Sequence, residues 1–154
     1  MDQKLTFRLA TENDLLTIIK LLADDALGAL RENIELPLSE NYTKAFFRIS
    51  NDFNQELTVA EINGEIVGTF HISFIQYLTH QGGLRAQIEA VRVHSAYRGN
   101  GLGTRLFSYA INRATEKGCH MIQLITDKKR PRAIQFYETL GFIATNEGMK
   151  LRLA

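Results

Sequence analysis

The period of the apolar positions changes repeatedly along the chain. Leu5 to Leu9 reads as a first strand. Thr11-Glu12-Asn13-Asp14 follows, with Thr11 placed to cap a helix and Asp14 to reach back in a capping-box arrangement. Leu15, Ile18, Ile19 and Leu22 then recur at helical spacing, and a second helix is predicted from Ser39 with Tyr42, Ala45, Phe46 and Ile49 on one face. Leu57 to Ile62 and Glu65 to Ile75 alternate or run apolar with β-branched residues. They are joined by Asn63-Gly64, a strong two-residue hairpin signal. Phe70, Ile72 and Phe74 form the apolar face of the second of these strands, and Thr69, His71 and Ser73 the polar one.

Tyr77 to Leu84 reads as a polar loop and Gln87 to Val93 as the next strand. Leu102, Leu106, Phe107, Ala110, Ile111 and Ala114 line a helix that Gly118 terminates. Met121 to Thr126 is a short strand. Pro131 opens a helix with the stripe Ala133, Phe136, Tyr137 and Leu140, ended by Gly141, and two short strands are expected to close the chain. The order β-α-α-β-β-β-α-β-α-β-β predicts an α/β (α+β) fold. Its mixed central sheet of about seven strands is flanked by four helices, antiparallel through the hairpin and with at least one parallel β-α-β crossover.

The chain has 154 residues, 45% of them hydrophobic and 23% charged, enough for a core and ordinary for a globular protein. No repeat, linker or low-complexity tract divides it, so residues 1–154 read as a single domain. Cys119 is the only cysteine, which excludes an internal disulfide framework or a Cys-based zinc cluster and suits a reducing cytosol. The N-terminus opens no secretory h-region and Lys20 interrupts the longest apolar stretch, so a cytoplasmic protein without a membrane partner is expected. The net charge of +1 does not point to nucleic acid. His71, His80, His94 and His120 lack ligand spacing, so no metal is expected. His71 reads as an exposed strand histidine, the alternative being a place in the wall of an acceptor pocket, and Cys119 as a small hydrophobe rather than a nucleophile.

The chemically informative stretch is Val91-Arg92-Val93-His94-Ser95-Ala96-Tyr97-Arg98-Gly99-Asn100-Gly101-Leu102-Gly103-Thr104. A strand runs into three alternating glycines and then directly into an amphipathic helix, whose unobstructed N–H groups suit phosphate oxygens. Arg98 adds a permanent cation capable of bidentate contact. A dinucleotide fingerprint would need its third glycine where Thr104 stands, and no Gly-Lys-Ser/Thr of a P-loop is present. A plain glycine-rich turn would seldom need three glycines beside an arginine.

Arg98-Gly99-Asn100-Gly101-Leu102-Gly103, after Val91-x-Val93, resembles the Gln/Arg-x-x-Gly-x-Gly/Ala motif of the GCN5-related N-acetyltransferase (GNAT) superfamily. Phe136-Tyr137-Glu138-Thr139-Leu140-Gly141-Phe142 resembles that family's Phe-Tyr-x-x-x-Gly-Phe segment. The resemblance covers nearly the whole chain. It implies that the backbone of Arg98, Gly99, Asn100, Gly101, Leu102, Gly103 and Thr104 holds the pyrophosphate of acetyl-CoA. The strand carrying Val91 and Val93 would splay and pair with the pantetheine arm, and one of its N–H groups would polarise the thioester carbonyl.

An acceptor ammonium must lose a proton before it can attack. Glu89, on one face with Val91 and Val93 by alternation in a strand expected to be covered on both sides, is the candidate base; the alternative is an ion pair with Arg85 or Arg92. Tyr137, by its place in the family motif, is the candidate acid for the CoA thiolate; the alternative is a core aromatic. Arg130 stands where many relatives carry an Asn that contacts pantetheine.

The implied activity is transfer of an acetyl group from acetyl-CoA to a primary amine, on a small molecule or a peptide, by direct attack in a ternary complex. A non-catalytic acyl-CoA sensor, or an acyltransferase using another acyl-CoA or acceptor, is the alternative, and a homodimer is left open. Residues 1–84 carry six basic and twelve acidic side chains, and residues 85–132 carry ten and three. The acidic block, with Asp24, Asp25, Glu32 and Glu35, would draw a cationic amine, and the basic block the polyanionic CoA.

Overall fold

In the computed structural model, which describes residues 4–154, the Asn63-Gly64 hairpin forms as its sequence predicts. Both residues adopt positive φ (52° and 77°), which matches the twist of the flanking strands. It joins β2 (Gln55–Ile62) to β3 (Glu65–Gln76), while β1 (Leu5–Leu9) lies antiparallel to β2 and β4 (Leu84–Val93) antiparallel to β3. The sheet order is β1-β2-β3-β4-β5, with β5 spanning Met121–Leu124. His120 N–H donates to the Leu84 carbonyl (3.0 Å), and three residues on, Gln123 Nε2 reaches Gln87 Oε1 (3.0 Å). Both pairs advance together, so β4 and β5 run in the same direction and the sheet is mixed, as a β-α-β crossover requires.

Helices α1 (Leu15–Ala23) and α2 (Glu40–Ser50) sit on the face that carries Leu57 and His71. Leu15, Ile19 and Phe46 form a buried cluster there, with Leu57 and Tyr42 packed against it. The capping box before α1 forms: Asp14 Oδ2 accepts from the Thr11 N–H at 2.7 Å. A single turn, α3 (Thr79–Gly82), interrupts the Tyr77–Leu84 loop and contains His80 and Gln81 in left-handed conformation. The long helix α4 (Leu102–Glu116) covers the opposite face through Leu102, Leu106, Phe107, Ala110 and Ala114, all buried. Tyr109 stacks on Phe7 at 4.3 Å. Ile111, expected on that stripe, lies at its margin and is exposed. No helix among the described residues is long and apolar enough to cross a membrane.

The chain divides into two compact units, one reaching to Gln123 and the other Leu124–Ala154. In the second, α5 (Pro131–Thr139) begins with proline in its first turn, and Gly141 turns the chain at φ 94°. Five strands form among the described residues rather than about seven, because residues 142–154 form no ladder. Met149, Leu151 and Leu153 keep the alternation of a strand, but each is about nine-tenths exposed (93%, 87% and 92%), and an unpaired strand has nothing to hold it.

Candidate active site

The last half of β4 departs from regular pairing. Thr69 faces Arg92 and His71 faces Glu89, so Phe70 alone stands against both Ala90 and Val91. Ala90 takes φ 54° to absorb the extra residue, the geometry of a β-bulge. The bulge corrects the alternation expected of this strand. Arg92 shares the face of Glu89, whereas Val91 and Val93 fall on the other, with Gly68 beneath Leu106 of α4. Glu89 is also exposed rather than covered on both sides. It pairs with neither Arg85 nor Arg92 among the described ion pairs; its Oε1 accepts from Gln87 Nε2 at 2.8 Å.

With an offset of 36 residues between β4 and β5, the last β5 residue stands level with Ile88. Among the described residues, the edge of β4 from Glu89 to Val93, bulge included, therefore has no strand beside it in the sheet. That open edge continues into a 3₁₀ turn, Ser95–Tyr97, whose Ala96 N–H donates to His94 Nδ1 (3.1 Å), and then into the glycine loop.

Gly99 and Gly101 both adopt left-handed φ (80° and 77°), and a Cβ on either would meet no atom within 4 Å. The backbone here is bare and faces open space. The first intrahelical bond of α4 runs from Arg105 N to Gly101 O. The N–H groups of Leu102, Gly103 and Thr104 thus precede any helical acceptor, at the positive end of a 15-residue helix. The donor set and the space both fit a pyrophosphate.

Arg98 is used differently from expectation: Nε donates to Val93 O (3.0 Å) and Nη2 to the carbonyl and carboxylate of Asp24 (3.1 and 3.2 Å). Asp25 meets Arg92 Nε at 3.2 Å. The acidic and basic blocks of the sequence are therefore joined at this point rather than held apart at two ends, which corrects the picture of separate attracting poles.

A cavity of about 170 Å³ lies between α1, α2 and the sheet, lined by Ile18, Leu22, Tyr42, Ile49, His71 and Ala90 among others. It reaches the bulge from the side opposite α4. His71 is half-buried in its wall, not exposed as alternation suggested. Burial pulls its imidazole below the ordinary value, while the nearby Glu89 charge opposes this. His71 Nε2 is 2.8 Å from Gln55 Oε1, and Gln55 Nε2 donates to Asp52 Oδ2 at 2.8 Å. Hydrogen bonds from Gln55 and the Asn54 N–H hold the Asp52 carboxyl below its usual range.

Sequence reading passed over Gln55 and Ala90. Alanine carries no signal for a left-handed bulge, and Gln55 gains its meaning only from register, two pairs along from Leu57–His71.

Tyr137 belongs to the second unit. Its ring meets Phe142 edge-on at 6.1 Å and Phe136 at 5.7 Å, and the Phe142 N–H donates to the Tyr137 carbonyl (3.1 Å), so Gly141 folds the motif back on the tyrosine. Arg130 N-caps α5. Cys119 lies just before β5, and burial pushes its thiol up, which keeps it protonated and weakly nucleophilic. Among the described residues no group of three His, Cys, Asp or Glu side chains is arranged to hold a metal ion.

The sequence model of the Acetyltransferase (GNAT) family matches residues 22–142. A crystal structure described as a transcriptional regulator from Bacillus halodurans C-125 is similar with TM-score 0.94 and 53% identity, covering 97% of this chain and all of that one. A structure of a predicted acetyltransferase with acetyl-CoA, from Clostridium acetobutylicum, is similar with TM-score 0.75 and 25% identity over 97% of each chain. By sequence, a glucosamine 6-phosphate N-acetyltransferase of Trypanosoma brucei brucei is 29% identical over 149 residues, 97% of this chain and 96% of the relative.

Proposed function

This chain belongs to the acetyltransferase (GNAT) family, and from that premise we propose that residues 1–154 work as one domain that moves the acetyl group of acetyl-CoA to a primary amine by direct attack. The observation that carries this reading is the continuity of three features: the open edge of β4, the two left-handed glycines, and the unpaired N–H groups at the start of α4. An extended arm added along Glu89–Val93 would leave its phosphates at Gly99–Thr104.

Acetyl-CoA supplies a thioester carbonyl already activated for attack. The chain's own contribution is to hold it. The bulge at Ala90 frees backbone groups of β4 from the ladder, and an N–H there is suited to the oxyanion that forms on attack. The amine enters from the α1/α2 cavity, whose wall includes Ala90 and is otherwise mostly apolar. The negative charge of Glu89 draws the acceptor ammonium to that side, where a base must take its proton before attack, and we assign Tyr137 the proton delivered to the departing thiolate. Direct attack is favoured because burial holds Cys119 as a protonated thiol.

The test is a panel of amines assayed for CoA release from acetyl-CoA, alongside calorimetry of CoA binding. Amine-dependent release is expected. Tight CoA binding with no release by any amine would replace the enzyme with an acyl-CoA sensor, a role compatible with the regulator description of the 53% identical relative.

A further inference from the structure

The orientation of Gln55 is settled at both ends of its amide. Its Nε2 donates to the ionised Asp52, so the atom facing His71 is the carbonyl Oε1, an acceptor only. His71 Nε2 must therefore carry the hydrogen, and in the neutral ring Nδ1 holds the lone pair. That ring lines the cavity that ends at Ala90.

The charged and titratable groups around His71 are few. Glu89 stands directly opposite on β4, and Arg92 faces Thr69 one pair along, beyond the bulge. β2 offers Leu57 and Gln55, with Asp52 behind. α1 contributes only apolar side chains to the cavity wall, and α2 contributes Tyr42 as its one titratable group.

Resting on the acetyl-transfer reading above, we propose that Nδ1 of His71 takes the proton of the acceptor ammonium, with Gln55 and Asp52 holding the imidazole in the required tautomer and Glu89 as counter-charge to the imidazolium. The ammonium gives one proton to Nδ1, and the freed nitrogen lone pair forms the C–N bond to the thioester carbon. The C–S bond breaks, the sulfur leaves with its electron pair and takes the Tyr137 hydroxyl proton, and the second nitrogen proton restores that hydroxyl. His71 then returns its proton to solvent past the exposed Glu89. Asp52–Gln55–His71 thus orients a base through a neutral amide, so the ring stays basic without the large rise in pKa that a directly paired carboxylate would bring.

Two measurements test this. In the free protein, long-range ¹H–¹⁵N correlation of the imidazoles above their titration, with His71 assigned by its loss in His71→Gln, is expected to show the Nε2–H tautomer. An Nδ1–H tautomer overturns the proposal. Profiles of kcat/KM against pH, with the best amine of the panel, are then expected to show an acid limb near or below the ordinary imidazole range, well separated from the amine's own limb.

His71→Gln should lose that limb and about 10²-fold in kcat, with KM for acetyl-CoA little changed. Glu89→Gln should keep the limb but move it to lower pH, since the charge that favours the imidazolium is gone. Gln55→Glu should move it to higher pH. A wild-type profile in His71→Gln, or disappearance of the limb in Glu89→Gln alone, overturns the assignment while leaving acetyl transfer intact. A wild-type protein that acetylates no amine overturns the acetyl-transfer reading itself and this inference with it.

Discussion

Arg98 binds Asp24 twice through one nitrogen, at 3.1 Å to the backbone carbonyl and 3.2 Å to the carboxylate, and its Nε holds Val93 O. One side chain thus fixes the glycine loop to the end of β4 and to the residue that follows α1. Removing the guanidinium loosens the loop and removes a cation beside the proposed phosphate site. Arg98→Ala is expected to raise the Kd for CoA about tenfold, equivalent to roughly 1.4 kcal/mol. Asp24→Asn keeps the backbone contact and loses only an exposed ion pair, worth about 0–1 kcal/mol. Its Kd should stay within about threefold of wild type, as isothermal calorimetry of both variants would establish.

Gly101 separates conformational from electrostatic effects. A side chain there meets no neighbour within 4 Å but is forced into φ 77°, so Gly101→Ala should cost about 1–2 kcal/mol of stability through backbone strain. Gly101→Asp carries the same strain, yet an aspartate at a helix N-cap recovers part of it by accepting backbone N–H bonds. Its carboxylate would occupy the donors proposed for pyrophosphate. Gly101→Asp is therefore expected to match Gly101→Ala or better in thermal unfolding while abolishing CoA binding; retained affinity would remove the phosphate assignment.

The hairpin, both helices packed on the α1/α2 face and the strand-to-helix glycine loop were legible because each is written locally. Asn63-Gly64, Ser39, Thr11 and Gly101 act within a few residues of themselves. The bulge was not legible, since Ala90 is an ordinary strand residue whose φ of 54° is imposed by pairing with β3. One misplaced residue reverses which side chains share a face, and so Arg92 rather than Val91 joined the side of Glu89. His71 was misread for a related reason. Alternation shows that it opposes Phe70 and Ile72, but not that α1 and α2 cover the polar face as well.

Arg8 ties the start of the fold together, donating to Asp14 at 2.6 and 2.9 Å and to Glu61 at 2.6 Å. The guanidinium, with the Thr11 N–H, holds the Asp14 carboxyl below the usual carboxylate value. A group whose pKa is depressed by folding stabilises above its unfolded value, and that contribution is lost as pH falls through the folded one. Asp14→Asn should therefore lower stability by about 1–3 kcal/mol at pH 7. The deficit should shrink steadily below pH 4. Urea unfolding of the two proteins at pH 7, 5 and 3 would follow the difference directly.

Tyr137→Phe keeps the ring that meets Phe136 and Phe142 and deletes only the hydroxyl. If the hydroxyl supplies the thiolate's proton, kcat should fall about 10²-fold. KM for acetyl-CoA and the melting temperature should hardly move, because ring contacts and cofactor holding are preserved. Wild-type turnover in this variant would return Tyr137 to a packing role, and steady-state kinetics with a thermal melt separates the two.

On the acceptor path proposed above, the cavity above the bulge would set a size limit on the amine. A dry space near 150 Å³ accommodates a ring the size of benzene, and this one measures about 170 Å³ with Ala45 among its lining residues. A six-membered ring or a branched aliphatic group on the amine would fill it, leaving the nitrogen toward Ala90. Ala45→Phe, placed on an exposed position of α2, costs only about 0.5 kcal/mol in helix propensity while occupying that space. Its KM for bulky apolar amines should rise at least tenfold, whereas the smallest amines and the Kd for CoA should be unaffected. Equal loss for small and large amines would place acceptor binding elsewhere on the protein, and comparing the amine panel on the two proteins distinguishes these outcomes.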